Sequence, residues 1–479
     1  MKQRRVFLAI AAASRILEGV NAPRRTLVVQ PLRLHFEYEV SMKKTLLVFV
    51  GAMLVSSFVK ADDWPQFRGP DRTGVSKEKG LLKAWPKEGP KLAWTFKNAG
   101  LGFSSVAIVD GKLYTLGTRD KDEIILALDA ATGKELWTAK IAPSFTFDGN
   151  IWGDGPRSTP TVDGNFLYAL GGQGELVCVD IAKQGKEIWR KNLDKDLDGK
   201  GMVTNYWWGH SESPLIDGKL LICTPGGPKG TLAALDKTNG NVVWRSKELT
   251  NAAPYSSAIA ADIQGARQYI QLSYVNKAGK ESGVVTGFDA KNGNVLWSET
   301  IFKATSYAIA PMPIVFGNKV YVTTGYGGGC HVFDIDNQQK ATDLYSKKAQ
   351  KKVKNTLGGV VLIDGHIYGH SEAQMWVCQD VNTGDLVWDE RNALVCKSGA
   401  TTAADGMLYF YTDDGEVALV EASPKGFNLV STFKIPERSK MPDERPTCKD
   451  AKTWAYPVVA NGYLFVRDLD LIFAYKVAK

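Results

Sequence analysis

Val109–Trp137, VDGKLYTLGTRDKDEIILALDAATGKELW, decides the fold. Two apolar-rich runs and a third, Trp-bearing run are separated by DG and ATG breaks. The ending recurs. Asp129, Gly133 and Trp137 stand four residues apart, as do Asp236, Gly240 and Trp244; Asp289, Gly293 and Trp297; and Asp380, Gly384 and Trp388. Asp180, Gly185 and Trp189 repeat the pattern with one residue inserted. Strand-like content recurring in this way marks a propeller or solenoid. Alternating residues such as Leu113, Thr115, Ile125 and Ala127 suit a pleated strand. The Asp can cap a turn, and the Gly can supply the positive φ that reverses the chain. One small sheet cannot bury such faces alone, so neighbouring sheets must stack.

The repeats outrank chain length as a guide. A chain of 479 residues suggests about three domains at ~150 residues each. A single propeller absorbs the same length. Eight units start near Ser104, Ser158, Glu212, Ser256, Ala310, Leu357, Gly399 and Trp454. Unit five carries Tyr345 where Trp would fall, and unit seven lacks the Trp. Lys91–Phe96 reads as the last strand of a repeat whose first three are missing. Trp454–Val477 reads as three strands without a fourth. The two ends should complete one blade and remove the free edges. The predicted fold is all-β: an eight-bladed propeller of four-stranded antiparallel blades over 91–479, closed by pairing an N-terminal strand with the C-terminal blade.

The N-terminal part reads as processing sequence. Met42-Lys43-Lys44, an apolar run and Val59-Lys60-Ala61 form a secretory signal over 42–61. Residues 1–41 then become an upstream extension, and 62–90 a Pro/Gly-rich lead-in. The expected location is periplasmic or extracellular. No further run reaches ~18 apolar residues, so no membrane span is expected after signal cleavage. Residues 1–61 hold ten Lys/Arg and three Asp/Glu, which leaves 49 basic and 48 acidic residues beyond them. A nearly neutral body gives no reason to expect a nucleic-acid partner. The six cysteines show no metal-type spacing. Cys178 and Cys378 lie in strand-like runs, while Cys396 and Cys448 lie between repeats, where export permits a disulfide.

ALDAATGKELW (127–137) and ALDKTNGNVVW (234–244) resemble the tryptophan-docking repeat of the quinoprotein-type, or PQQ-like, propellers. The likeness extends from Asp62 to Val477. WPQFRGPDRTGVS, GPRSTPTVDG and GHSESPLIDG are similar to exported bacterial proteins with PQQ-like repeats. It implies docking roles for Trp94, Trp137, Trp189, Trp244, Trp297 and Trp388. It does not fix activity, because the family includes redox enzymes and noncatalytic scaffolds resembling BamB. Quinoprotein alcohol dehydrogenases carry adjacent cysteines, which this chain lacks, and a Glu/Asn/Asp calcium set that finds no matching motif here. BamB is anchored through a lipidated Cys, also without a counterpart.

In a propeller, the segments joining blades share one face with the turns between second and third strands, and ligands or partners meet that face. The residues predicted there include Trp152, Arg157, Trp207, Trp208, His210, Tyr255, Tyr307, His370 and Lys397. Trp207-Trp208 suit stacking on a ring or sugar, anchoring a partner, or plugging the channel. Arg157 suits a carboxylate clamp or bonds to turn carbonyls. Asp194, Asp196 and Asp198 match the start of a calcium loop, but position twelve is Asn205; the plainer reading is a solvated acidic turn. Gly171-Gly172, Gly226-Gly227 and Gly327–Gly329 read as hairpin turns, with no GK[ST] to make a phosphate loop. No catalytic constellation is complete. The reading is a monomeric scaffold that binds a protein or small molecule on its loop face. The alternative is an alcohol or sugar dehydrogenase using PQQ with calcium.

Overall fold

The computed structural model describes residues 63–202, 208–277, 280–303 and 308–479. The expected extension 1–41 and signal 42–61 lie outside the described residues, as do Trp207 and Tyr307. Eight antiparallel sheets follow one another along the chain. Blade 1 comprises Ala107–Val109, Lys112–Arg119, Asp122–Asp129 and Glu135–Pro143. Blades 2 to 7 span 161–192, 215–245, 259–303, 314–343, 360–390 and 399–434. Blade 8 comprises Val458–Ala460, Tyr463–Asp468 and Leu471–Lys476, with Leu92–Phe96 as its outer strand. That strand runs antiparallel to 471–476, with Trp94 opposite Ala474, so the ring closes through the two ends of the propeller sequence. Among the described residues no helix is long and apolar enough to cross a membrane.

The strands differ from simple alternation for a physical reason. Leu113 to Thr118 and Glu123 to Leu128 are buried without a break, because adjacent blades cover both faces of the middle strands. The outer strand Glu135–Pro143 has only one covered side and keeps exposed positions.

The Asp–Gly–Trp repeat is a joint between blades. Asp129 accepts the Thr132 N–H at 2.9 Å and ties the turn. Gly133 takes φ +72°, and an added Cβ would stand 2.7 Å from the Trp94 indole. The Trp94 Nε1–H donates to Ala130 O, next to that Asp, at 3.0 Å. Trp189 and Trp244 repeat this one blade on, donating to Lys237 O and Ala290 O at 2.9 and 3.2 Å. Each flat ring therefore lies on the glycine of the following blade. Trp137 lies against Gly185 in the same way. In blade 5 Tyr345 substitutes fully: its hydroxyl donates to Val381 O at 2.8 Å and its ring lies by Gly384. Trp388 donates to Ser423 O at 2.9 Å. Trp297 departs from the rule. Blade 5 has Gln339, at φ +60°, in the turn where glycine would come. Trp297 instead donates to Gln268 Oε1 at 2.8 Å, and Gln268 bonds Gln339 at 2.6 Å.

The lead-in segment does more than lead in. Trp64 exchanges two backbone bonds of 2.8 Å with Ile108 of blade 1, and Pro65 O accepts Val162 N–H of blade 2 at 2.8 Å. The buried Arg72 guanidinium donates to Ala258 O at 2.9 Å, to Ser213 O at 3.1 Å and to Pro214 O, across blades 3 and 4. Arg68 donates to Val360 O of blade 6. Val75–Ser76 adds a parallel strand to the inner edge of blade 7, which therefore has five strands rather than the predicted four. Gly462 N–H of blade 8 donates to Glu78 at 2.9 Å. Residues 64–78 thus form a strap across the propeller axis. Farther on, Trp85 enters the core between blades 7 and 8, with its ring 5.4 Å from Phe433. It fills the gap left by the missing tryptophan of unit seven.

Candidate functional site

Eight inner strands converge on the axis, so the segments leading into them crowd around one mouth. Before blades 1 to 4 these segments carry small hydroxylic residues, Ser105, Thr159, Ser213 and Ser257, which let the backbones approach. Ser105 N–H donates to Thr159 Oγ1 at 3.2 Å, Thr159 N–H to Ser213 Oγ at 3.0 Å, and Ser213 N–H to Ser257 Oγ at 2.8 Å. This hydroxyl belt ties blades 1 to 4 in sequence. Ser105 Oγ–H continues it backwards to Tyr456 O of the 7–8 linker at 2.8 Å.

Above the belt lies a cavity of about 280 Å³. Phe67 of the strap reaches it, with an edge-to-face contact to Tyr456 at 5.0 Å. Phe103 and Trp454 form one aromatic wall, with centroids 5.1 Å apart. Trp152 and Trp208 form another, at 5.6 Å and 84°, and Trp208 meets Tyr255 at 5.9 Å. The Tyr255 hydroxyl accepts the Trp208 N–H at 3.2 Å. Tyr326, 41% exposed, stands at the turn between the second and third strands of blade 5.

Arg157 is the charged residue among the described lining. Its guanidinium donates to Gly155 O and Gly153 O, both at 2.8 Å, and lies over Phe103 and Phe145 at 5.3 and 5.5 Å. It stiffens its own linker through the turn carbonyls. Burial lowers its pKa, against the pull of Tyr255 and Glu123. Behind it, buried Glu123 accepts Gly172 N–H at 2.9 Å and Phe145 N–H at 3.2 Å. Burial pushes its carboxyl up from 4.5 to about 7, against those bonds and the Arg157 charge. A raised carboxyl holds its proton longer in the folded state, so stability falls as pH rises from about 4.5 through about 7. The loss attributable to Glu123 should be about 3 kcal/mol. Urea melts at intervals from acid to weakly alkaline pH check this. The wild-type slope should exceed that of Glu123→Gln, and parallel curves would refute the assignment.

The structure sorts the predicted residues. Trp152, Arg157, Trp208 and Tyr255 line the cavity. His210 is buried beneath the 2–3 linker, with Nε2 at 3.0 Å from Asp194. His370 lies in blade 6, edge-to-face with Trp376, and its Nε2 bonds Cys396 O at 3.3 Å. Burial pulls its pKa down to about 4, so it is neutral at pH 7, with Nε2 as the donor. The two histidines therefore serve separate structural contacts. Lys397 is exposed on the 6–7 linker and is not among the lining residues. The strap spans the axis, so channel plugging does not need Trp208, which stands in the wall.

Two further expectations concern the acidic turn and the cysteines. Asp194 turns to His210, and Asp196 accepts the Asn192 N–H at 2.7 Å. The acidic turn is held together from within, and among the described residues no group of three or more His, Cys, Asp or Glu, Asp198 included, is placed to hold a metal. Cys396 and Cys448 are free, buried thiols in different clusters, beside Leu394 and Trp376 and beside Leu101 and Phe103, so they form no bridge. Sequence reading missed Phe67, Phe103, Tyr326, Trp454 and Tyr456 as lining residues.

The fit of PQQ with calcium can be tested on these walls. Calcium takes six to eight oxygen ligands, usually with carboxylates among them. The described lining residues include no carboxylate. Glu212, between lining Ser211 and Ser213, is committed to the Thr224 N–H and, at 3.4 Å, to Gln271. The residues present do not fit a calcium-held quinone.

A family profile described as outer membrane protein assembly factor BamB matches residues 120–390. The chain is 24% identical over 282 residues to outer membrane protein assembly factor BamB of Nitrosomonas eutropha, covering 52% of this chain and 62% of that protein. It is 23% identical over 370 residues to polyvinylalcohol dehydrogenase of a Sphingopyxis species, covering 63% and 55%. The chain thus spans less than two thirds of the length of these relatives. The crystal structure of BamB from Moraxella catarrhalis superposes with a TM-score of 0.54 at 14% identity, covering 81% of this chain and 99% of that one, which supports the fold. With the profile matched over more than half of its length, the chain belongs to the family described as outer membrane protein assembly factor BamB.

Proposed function

We propose that this chain is an exported, monomeric binding propeller that performs no chemistry of its own and receives a ligand or a partner's protruding group in the axial pocket. The observation that carries the reading is the character of the walls. Eight aromatic side chains surround the cavity, while its single charged residue is engaged with turn carbonyls. Aromatic walls with few, fixed polar groups suit recognition. General acid–base catalysis needs a titratable group within reach of the reacting atoms, and the described walls offer no carboxylate or imidazole. The assembly role named for the BamB relatives is consistent with a partner as occupant.

The second reading is a PQQ-dependent dehydrogenase acting on an alcohol or sugar. Similarity to polyvinylalcohol dehydrogenase favours it, while the donor set counts against it. Calorimetric titration with PQQ, with and without calcium, separates the two. The scaffold reading expects no saturable heat in either condition. Binding near one PQQ per chain would overturn it and call for a dye-linked assay with alcohols and sugars.

A further inference from the structure

We infer that the axial pocket binds one neutral pyranose ring, either a free sugar or the terminal ring of a glycan; this rests on the binding reading above. Three observations converge. First, the walls are aromatic, with the Phe103–Trp454 pair and the edge-to-face Trp152–Trp208 pair both lining the cavity. The C–H faces of a pyranose lie well on such rings. Second, the belt presents hydroxyls. Thr159, Ser213 and Ser257 each accept an N–H from the preceding blade. A hydroxyl that accepts one N–H still has its own O–H to give. All three residues line the cavity and are buried. A purely apolar occupant would leave those donors facing a dry surface, and a buried donor without an acceptor is costly. Third, the described walls carry no carboxylate for a cationic ligand. An anionic ligand would meet a single cation, Arg157, two of whose five N–H groups serve carbonyls at 2.8 Å and whose guanidinium lies over Phe103 and Phe145. Neutral, rich in acceptors and apolar on its faces describes a sugar ring. A cavity of about 280 Å³ has room for one such ring but not for a chain of them.

Tryptophan fluorescence and calorimetry on the purified chain test this. The probes are the methyl glycosides of glucose, galactose, mannose and N-acetylglucosamine, with cellotetraose as a glycan end. At least one glycoside should bind saturably, at one per chain. Trp208→Ala should weaken binding at least about tenfold, while Trp208→Phe keeps it within about threefold, because the flat face remains. If Trp208→Ala does not fold, Tyr326→Ala at the exposed rim replaces it. Cellotetraose equal to the monosaccharide points to a free-sugar site, and clearly tighter binding points to a glycan end. No saturable signal from any probe up to roughly 100 mM overturns the inference. So does a chain that ignores sugars but binds N-acetyltryptophanamide, which would make the occupant an aromatic peptide side chain. Failure with sugars and no response to PQQ retires this inference alone, whereas PQQ binding retires the scaffold reading itself.

Discussion

Arg467→Met should lower the unfolding free energy by about 4 kcal/mol, the range found when a buried charged hydrogen-bonding group is removed from its partners. Arg467 sits in the second strand of blade 8 and is 2% exposed. Its guanidinium donates to Leu469 O at 2.7 Å within its own blade. The remaining donors cross the closing seam to Ser104 O at 3.0 Å, Thr115 Oγ1 at 2.8 Å, Leu116 O at 2.6 Å and Gly100 O at 2.9 Å. Methionine fills similar space but leaves four carbonyls and a hydroxyl without this donor. Burying the guanidinium costs desolvation, which is why the net effect is far below the sum of five bonds. Lysine should rescue little, since a single ammonium cannot match the fork. Urea denaturation gives the magnitude, and hydrogen exchange gives the place: amides of 92–118 and 464–476 should lose protection before the other blades. A loss below about 1 kcal/mol would mean that strand pairing alone holds the seam.

Arg72→Leu should cost about 3 kcal/mol, by the same reasoning with fewer bonds. Burial pulls Arg72 down to about 9, against the pull of Glu212, so it is still cationic at pH 7. Its donors reach three carbonyls of blades 3 and 4 and Gln66 Oε1 at 2.9 Å. Without them the strap loses its hold on that half of the ring, while Trp64 and Arg68 still hold the others. The expected result is a local defect. Amides of 69–76 should exchange faster and become cleavable by proteinase K, and Phe67, next to the loosened stretch, should be held less firmly in the pocket. Any ligand of the pocket should then bind more weakly, though the blades stay folded. Unchanged protection of 69–76 would show that the strap is anchored elsewhere.

These two arginines mark the boundary of what the sequence discloses. The blades were legible because Asp, Gly and Trp recur at set spacing, and each type does one physical job: tying a turn, taking a positive φ and covering a glycine. Even the substitution of Tyr345 was visible, because a phenol can both cover and donate. Trp85 was not legible as the missing docking residue of unit seven, since it comes from about 350 positions away in the chain and nothing local announces long-range filling. The mouth was half legible. Trp152, Arg157, Trp208 and Tyr255 lie in linkers, where aromatic residues are not needed for strand cores. Phe67 was hidden in a Pro/Gly-rich run that reads as a connector, and Trp454 in what reads as the start of a blade. His210 and His370 have the residue type of ligands but sit in private contacts with Asp194 and Cys396 O, a distinction that spacing cannot make.

The strap and the closing strand also bear on the order of events during synthesis. Residues 64–96 emerge from the ribosome early, yet they pair with Ala403, Gly462, Ala474 and Ala478. Blades 1 to 6 can be made, and can receive Trp64, Arg68 and Arg72, while these partners do not yet exist, so Val75–Ser76, Trp85 and the strand Leu92–Phe96 must wait for theirs. Contacts this distant in sequence make folding slow and leave apolar surface open meanwhile. A nascent chain stopped before blade 7 would therefore be an open arc in which Val75–Ser76 and Leu92–Phe96 lack their strand partners. The making of blade 8, with the strand that Leu92–Phe96 pairs to, is the event that turns the arc into a ring.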